Sequence, residues 1–188
     1  MSFDRPREVT DPKAMRALAH PVRLQLLEEL ADAGTLTATE AAERVGESPS
    51  NVSFHLRQLA KYGYVVEAEG GTGRRRPWKL KNLGMRWSDV HEDRELAGAG
   101  RELTRVAFDR YLDRARRGLQ DRHAQPDEWR EVTGVNQMRL YLTPAELAQV
   151  EEELLEILLG RFADRRTRSA DQPEEAERVE ILTLAYRV

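Results

Sequence analysis

Hydrophobic residues recur at helical spacing along much of the chain, which predicts a mostly helical protein. The first such run has six apolar positions: Met15, Leu18, Val22, Leu26, Leu27 and Leu30. His20-Pro21 interrupts this run, and a proline disfavours helical conformation at the residue before it. The pattern therefore predicts two helices that meet at a corner, where His20 has a capping or corner role rather than a ligand role.

Residues 48–63 have the pattern of one short helix with a defined start and end. Ser48 suits the cap, Pro49 suits the first helical position, and Gly63 suits a left-handed exit. The apolar side chains occupy one narrow stripe: Val52, Leu56 and Leu59. Such a stripe indicates a helix that buries one side and exposes the other.

The exposed side of this predicted helix carries hydrogen-bonding groups, two cations and one flat apolar ring. Its candidate DNA-binding residues are Ser50, Asn51, Ser53, Phe54, Arg57, Gln58 and Lys61. A helix in the major groove of DNA needs this combination in order to contact base edges. The alternative is an ordinary solvated helix face, which the pattern of this one helix does not exclude.

The neighbouring segments place this helix within a larger motif. Residues 37–46 form a short predicted helix with a threonine start and a glycine stop, so two helices meet across a tight corner. Residues 64–69 and 77–81 are predicted strands joined by a glycine-rich hairpin at 70–76. The hairpin carries three consecutive basic residues: Arg74, Arg75 and Arg76. A helix-turn-helix followed by a basic hairpin is the pattern of a winged helix.

Three phrases of this half of the chain carry a more specific signal. They are Ala17-Leu18-Ala19-His20-Pro21-Val22-Arg23-Leu24-Gln25-Leu26-Leu27, Ser50-Asn51-Val52-Ser53-Phe54-His55-Leu56-Arg57-Gln58-Leu59 and Gly63-Tyr64-Val65. Together they resemble the ArsR-type family of bacterial transcription regulators, over roughly residues 12–83. The resemblance implies a dimeric regulator that binds operator DNA and releases or rearranges when an effector binds. It also implies that a helix just after the wing pairs two subunits.

Charge is unevenly distributed along the chain. The 188 residues carry a formal net charge of -3, yet residues 1–84 hold 13 basic and 11 acidic side chains while residues 85–188 hold 17 and 22. Within residues 54–86 there are eight basic residues and only two acidic ones, Glu67 and Glu69. The positive charge therefore falls on the predicted recognition helix, residues 49–62, and on the wing, where contacts to DNA phosphates are expected.

Length and composition narrow the class of protein further. A chain of 188 residues can bury a hydrophobic core large enough to fold without disulfides or structural metal ions. The absence of cysteine excludes disulfides and thiolate metal sites. The first residues are charged, and no apolar run approaches the roughly 18 residues of a membrane span. We expect a cytoplasmic protein with no membrane partner and no cofactor, and a loose arm at residues 1–11.

A change of pattern divides the chain near Asn82-Leu83-Gly84. It predicts a winged helix-turn-helix domain at residues 1–84 and a C-terminal region at residues 85–188. The second region begins with a long helix from about 92 to 119 that has one apolar stripe. Four residues of this stripe are the expected dimerisation residues: Leu96, Leu103, Val106 and Leu119. Small residues at 97–100 allow a close approach of another backbone.

The remainder of the C-terminal region mixes strand and helix patterns. Residues 137–142 and 179–186 alternate as strands do, so they are candidates to pair in a small sheet. Between them, Thr143 and Glu146 have the spacing of a capping box at the start of an acidic helix. The predicted fold class is α+β and mostly helical, with a small C-terminal α+β region for dimerisation and effector binding.

Candidate chemistry outside the recognition helix is sparse. Asp89, His91 and Asp93 offer metal ligands, but nothing repeats them at a tetrahedral spacing, and a solvated helix start explains them better. The sequence has no glycine-rich phosphate loop, nucleophile elbow or paired metal motif, so we expect no catalytic residues and no enzyme. Five aromatic residues are candidates for an effector pocket or for the core: Trp87, Phe108, Tyr111, Trp129 and Tyr141.

These patterns favour a transcription regulator, most simply a repressor, that binds double-stranded operator DNA as a homodimer through helix 49–62 and wing 70–76. The alternative is a winged-helix protein-interaction module without DNA specificity. A wing that binds protein has no need of three successive arginines, which favours the first hypothesis. A small-molecule effector is a further candidate partner of such a regulator.

Overall fold

The computed structural model describes residues 6–71, 76–82, 84–162, 165 and 172–188. The first half contains β1 (Arg7–Glu8), α1 (Pro12–Leu18), α2 (Pro21–Ala33), β2 (Thr35–Leu36), α3 (Ala38–Val45), α4 (Pro49–Lys61), β3 (Val65–Glu67), β4 (Trp78–Leu80) and β5 (Met85–Arg86). The second half contains α5 (Arg94–Gln120), a 3₁₀ turn (Asp121–Ala124), α6 (Asp127–Val132) and α7 (Pro144–Phe162). The chain is mostly helical with a small sheet, which confirms the predicted fold class.

Side-chain caps fix the starts of the helices in the first half. The His20 Nδ1 atom accepts a hydrogen bond from the Val22 amide at 3.2 Å and caps α2, which confirms its predicted corner role. Thr37 and Glu40 form a capping box at the start of α3. Ser48 Oγ accepts from the Asn51 amide at 3.3 Å and caps α4. Each cap satisfies backbone amides that the first turn of a helix leaves unpaired. Capping residues in the sequence therefore mark where the helices start.

Glycine ends both helices of the helix-turn-helix. Gly46 follows α3 with φ 73°, and Gly63 follows α4 with φ 72°. Residues with a Cβ atom rarely adopt this left-handed conformation, so glycine is suited to these exits. The corner between α3 and α4 is consequently tight, and α4 packs against both α3 and α2.

A three-stranded antiparallel sheet has the order β2-β4-β3; β2 lies between α2 and α3, and the other two strands follow α4. Val65 pairs with Leu80 and Glu67 with Trp78, and the Ala68 amide donates to the Pro77 carbonyl at 2.8 Å. This geometry is the predicted strand, hairpin and strand. Residues 72–75, and with them Arg74 and Arg75, lie outside the described residues.

The N-terminal arm is docked rather than loose over residues 6–11. β1 pairs in parallel with β5, and Arg7 lies opposite Met85. The Arg7 guanidinium donates to the carbonyls of Gly63 at 2.7 Å and of Tyr62 at 3.2 Å. These bonds join the arm to the chain where it leaves α4. The expectation of a loose arm is therefore wrong for this part, because its partners lie more than 50 residues away in sequence.

Helix α5 packs on α1 and α2 and shares their core. Ala99, Leu103 and Ala107 are buried in the same cluster as the apolar faces of α1, α2 and α4. At Gly100 the helix touches another backbone, since a Cβ atom there would lie 2.4 Å from the Ser88 carbonyl oxygen. The predicted domain boundary near residue 84 therefore does not separate two hydrophobic cores, because α5 shares the core of the first half.

A cluster of ion pairs reinforces the packing of α5 on α2. The Arg110 Nε atom donates to both carboxylate oxygens of Glu28, at 3.0 Å and 2.9 Å. Arg114 pairs with Glu28 and with Glu180, and Arg178 pairs with Asp32. Residues 178–180 are thereby attached to the same side of the molecule as α2 and α5.

The remaining C-terminal elements make little contact with this core. Helix α7 has no buried residue. The predicted strands at 137–142 and 179–186 are not strands in this structure, and Met138 and Ile181 are 82% and 65% exposed. Alternating apolar residues form a strand only when a neighbouring edge and a covering layer are present, and over the described residues neither segment pairs with another strand. The C-terminal region is therefore helical.

Candidate nucleic-acid interface

The buried side of α4 fixes which residues the helix presents to the outside. Val52, Leu56 and Leu59 have no exposed surface and lie in the main core. Because these three side chains lie on one side, the helix cannot rotate without exposing them. The direction of the opposite face is therefore set by the core.

The outward face of α4 carries the residues that the sequence predicted for DNA binding. Ser50, Phe54, Arg57 and Lys61 are exposed, while Asn51, Ser53 and Gln58 are half-buried. This face ends at the corner with α3 on one side and at the sheet on the other. An exposed helix face with these side chains has the chemistry that fits a major groove.

Neighbouring residues hold several of these side chains in place. Arg57 Nη1 donates to Ser53 Oγ at 2.9 Å, one turn earlier in α4. Asn51 Nδ2 donates to Glu47 Oε2 at 2.8 Å in the corner before the helix. Such contacts reduce the number of conformations that a ligand would have to order on binding.

The described part of the wing contributes one exposed arginine. Arg76 Nη1 donates to Glu67 Oε2 at 2.8 Å across the two strands. Both side chains are about half exposed, so this pair contributes little to stability and Arg76 is free to exchange it for another anion. The predicted wing residues Arg74 and Arg75 lie outside the described residues, so Arg76 is the wing arginine whose position is known.

A basic cleft beside α4 was not predicted from the sequence. It has a volume of about 240 Å³ and is lined by Lys13, Arg16, Ala17, Arg23, Gln58 and Tyr62. Arg16 is held by an ion pair with Glu95 at 2.8 Å, and Arg23 Nε is buried with no hydrogen-bond partner among the described residues. The sequence carries one sign of this cleft: Lys13 and Arg16 are three residues apart, which puts both side chains on one side of α1.

Two histidines meet at the buried side of α4. His55 of α4 is 5% exposed, and its ring lies 4.6 Å from that of His20. Burial lowers the pKa of both histidines, and the nearby Arg23 cation lowers them further. Both rings are therefore neutral near pH 7, which suits their place in the core.

The expected dimerisation residues occupy different environments. Leu103 has no exposed surface, and Leu96 and Val106 pack against the main core. Only Leu119, near the end of α5, is exposed. The assignment of Leu103 to a subunit interface is thereby corrected: the apolar stripe of α5 is covered by α1 and α2 of the same chain, which leaves Leu103 no surface for a partner.

The five aromatic residues proposed for an effector pocket are not gathered around one cavity. Trp87 Nε1 donates to Thr104 Oγ1 at 3.0 Å, Trp129 lies in α6, and Phe108 and Tyr141 are exposed. Tyr111 lines a cavity between α2, α5 and the sheet that has a volume of about 160 Å³, and Trp87, Phe108, Trp129 and Tyr141 do not line it. The expectation that all five surround one pocket is therefore not met at this cavity.

The acidic start of α5 is structural. Asp93 Oδ1 accepts hydrogen bonds from the amides of Glu95 at 2.7 Å and Leu96 at 3.1 Å, as an N-cap does. Over the described residues, no three histidine, aspartate or glutamate side chains are grouped so that they could hold a metal ion. None of the helices in the described part is long and apolar enough to cross a membrane.

Comparison with known families agrees with this geometry. A family model described as a helix-turn-helix domain matches residues 18–67, from the end of α1 to β3. No curated protein matches the chain. The fold and the match together define a winged helix-turn-helix domain of the kind that DNA-binding transcription regulators carry, which points to a regulator rather than an enzyme.

Proposed function

We propose that this protein is an ArsR-type bacterial transcription regulator that binds operator DNA as a homodimer and represses transcription. The outward face of α4 carries the proposal, because the core fixes that face and its side chains match the chemistry of base edges. Since its partner is chromosomal DNA, we propose the cytoplasm as its compartment.

Within this interface, base reading and phosphate binding fall to different residues. Arg57 and Gln58 lie in the second half of α4, and their guanidinium and amide groups are of the kinds that pair with base edges in the major groove. Arg76 lies two residues before β4, at the end of the wing hairpin, where contacts to DNA phosphates are expected. Lys13 and Arg23 in the basic cleft are additional candidates for the phosphate backbone.

Selection of bound sequences from a random DNA pool, followed by titration of the selected operator and of unrelated DNA, tests the proposal. We expect Arg57→Ala to change the selected sequence and to lose roughly 1 to 3 kcal/mol of discrimination. We expect Arg76→Ala to weaken binding to both DNAs and to reduce the salt dependence. Arg130→Ala, a partly exposed arginine of α6 that belongs to neither the proposed DNA interface nor the proposed dimer surface, is the matched control and should change neither.

The outcome also separates the proposal from a protein-interaction module. A module without DNA specificity would select no sequence, and its weak DNA binding would fall equally in all three arginine variants. Such a result would favour the protein-interaction module over the transcription regulator as the function of this protein. Enrichment of one sequence that depends on Arg57 supports the regulator.

The proposed dimer needs a surface that the first half does not supply. Most of the large hydrophobic residues that the described chain exposes lie beyond residue 130, in α7 and the segments beside it. Charge favours pairing between copies, because α7 holds five glutamates and one arginine whereas α5 holds seven arginines and four acidic residues. We therefore propose that α7 of one copy packs on the exposed side of α5 of the other, which includes Phe108 and Leu119.

A further inference from the structure

The basic cleft beside α4 holds more positive charge than its surroundings neutralise. Its three cations come from α1 and α2: Lys13, Arg16 and Arg23. Arg16 is paired with Glu95 at 2.8 Å, whereas neither Lys13 nor Arg23 forms an ion pair with a described carboxylate. Over the described residues, no acidic side chain lines the cleft. Two of its cations are therefore without a counter-ion in this part of the chain.

Arg23 is the cation that loses most from the missing counter-ion. Its side chain is partly buried, and burial lowers the pKa of its guanidinium. Arginine still remains protonated at neutral pH, so the protein keeps a charge that has lost part of its hydration. The Nε atom is enclosed without a partner among the described residues, but the two Nη atoms are not enclosed in this way. They are the atoms that an anion in the cleft would contact, and such a contact would offset the cost of the unpaired charge.

The cleft adjoins the outward face of α4. Gln58 belongs to both, and Tyr62, one turn later at the end of α4, also lines the cleft. Lys13 and Arg16 are exposed to solvent at this place. Sugar-phosphate strands border the major groove on both sides, so a cationic cleft next to a helix in that groove is where a backbone phosphate is expected. A volume of about 240 Å³ leaves room for a phosphate group and the water around it.

From these observations we infer that the basic cleft holds one phosphate of the DNA backbone, with the Arg23 guanidinium as its main ligand and the Lys13 ammonium as a second one. A guanidinium suits this role because two of its N–H groups can donate to two oxygens of the same phosphate. The contact carries no sequence information; it fixes the position of α4 in the groove. This assignment rests on the proposed function, because it takes α4 as the helix that enters the major groove.

The unpaired charge of Arg23 predicts a combination of effects that a structural arginine would not show. Methionine has a similar length and no charge, so Arg23→Met should leave the urea midpoint of unfolding unchanged or raise it. The same variant should bind operator and unrelated DNA about tenfold more weakly. Its plot of log Kd against log salt concentration should be less steep by about 0.9, as expected for one lost phosphate contact.

Two further variants accompany Arg23→Met. Lys13→Gln changes an exposed side chain, so it should leave the urea midpoint unchanged and weaken binding to both DNAs by about two- to fivefold. Arg130→Met, on α6 and outside the proposed DNA interface, is the matched control for the loss of one arginine charge. It should change neither the DNA affinity nor the salt dependence.

Operator DNA with a single methylphosphonate identifies the phosphate directly, because this group has no charge. When the methylphosphonate is moved along each strand, it should weaken binding of the wild type at several positions. At one position per half-site, the loss should disappear in Arg23→Met, because the contact is already absent. Arg130→Met should respond like the wild type at every position.

Three results overturn the inference. The first is an Arg23→Met variant with wild-type DNA affinity and salt dependence. The second is a variant that binds more weakly but responds to every methylphosphonate as the wild type does, since Arg23 would then act through the packing of the helices. The third is a lower urea midpoint in a folded Arg23→Met, which would show a cation that already has a partner. If circular dichroism shows that Arg23→Met is unfolded, Lys13→Gln takes its place in the methylphosphonate comparison, and an unchanged response at every position overturns the inference.

Inorganic phosphate distinguishes a DNA phosphate from a free one. Saturable binding of phosphate to the DNA-free protein that depends on Arg23, without an Arg23-dependent position on the operator, would assign the cleft to a small phosphorylated ligand and overturn the inference.

Failure of the proposed function gives a different result. A protein that selects no DNA sequence, yet loses about 0.9 of its salt dependence in Arg23→Met, contradicts the proposed function and leaves the phosphate site standing. Sequence selection that depends on Arg57, together with an unchanged Arg23→Met, contradicts the phosphate site alone.

Discussion

The rings of His20 and His55 lie 4.6 Å apart with their planes tilted by 45°. His20 caps α2, and His55 belongs to the buried side of α4, so the contact joins the corner of the first helices to α4. His55 Nδ1 has no hydrogen-bond partner among the described residues. Two neutral rings fit this space. The Arg23 cation would repel a proton on either ring, and only the Glu47 carboxylate would offset this repulsion.

This contact predicts a loss of stability at mildly acidic pH. Burial lowers the pKa of both histidines in the folded protein, so the unfolded chain binds more protons once the pH falls below about 6.5. The stabilisation is complete above that pH and is lost as the pH falls through the folded-state pKa. Urea unfolding at about pH 7.5 and about pH 5.5 should show a decrease on the order of 1 kcal/mol from this pair.

His20→Asn is the variant that isolates the effect. Asparagine can still accept the hydrogen bond from the Val22 amide, but it does not titrate and places no charge beside His55. The fall in unfolding free energy between the two pH values should therefore be smaller in this variant. An equal fall in both proteins would assign the acid sensitivity to other groups.

Gly100 and Gly98 provide a matched pair on α5. A Cβ atom at Gly100 would lie 2.4 Å from the Ser88 carbonyl oxygen and 2.8 Å from Asp89 Cα, and neither backbone atom can move cheaply. At Gly98 the nearest atom is the end of the flexible Arg101 side chain at 4.0 Å. We expect Gly100→Ala to lower the free energy of unfolding by about 1 to 3 kcal/mol and Gly98→Ala to raise it by at most about 1 kcal/mol. Urea unfolding measures both. Equal effects would refute the close backbone contact.

The ion pairs of Glu28 should stabilise the packing of α5 more than an exposed pair does. Glu28 accepts from Arg110 and Arg114 in a partly buried site, and Glu28→Gln removes the charge but not the shape. We expect the free energy of unfolding, measured in urea, to fall by about 1 to 2 kcal/mol. A fully buried ion pair would lose more, but water still reaches this site. Asp109→Asn, which breaks the exposed pair with Arg105, is the control and should have little effect. A similar loss in both variants would show that the Glu28 cluster has no special role.

Local signals predicted much of this structure. The caps at His20 and Ser48, the exits at Gly46 and Gly63, and the Thr143 capping box depend on residues at most four apart, and all are present. The stripe of α4 was equally clear, because three leucine or valine side chains on one side leave the helix a single orientation.

Other features depended on contacts that no local pattern contains. The bond from Arg7 to the Gly63 carbonyl spans 56 residues, and it docks an arm whose composition suggested a loose segment. An apolar stripe predicts burial but not the partner, which explains why Leu103 was assigned to a subunit interface although α1 covers it. His55 was overlooked for a related reason, since a polar residue beside an apolar stripe carries no sign of its own burial.

The position of the proposed dimer surface gives the last prediction. Leu154 lies on the apolar side of α7 and is 39% exposed, whereas Leu103 is fully buried in the core. Leu154→Asp should therefore leave the fold intact, convert the dimer to a monomer in sedimentation velocity, and weaken operator binding, because one head spans only one half-site. Leu103→Asp should instead unfold the protein, since it buries an unpaired charge. Ala148→Asp, about 120° around α7 from Leu154, is the matched control and should remain dimeric. If Leu154→Asp remains a dimer with full operator affinity, the two copies do not pair through α7.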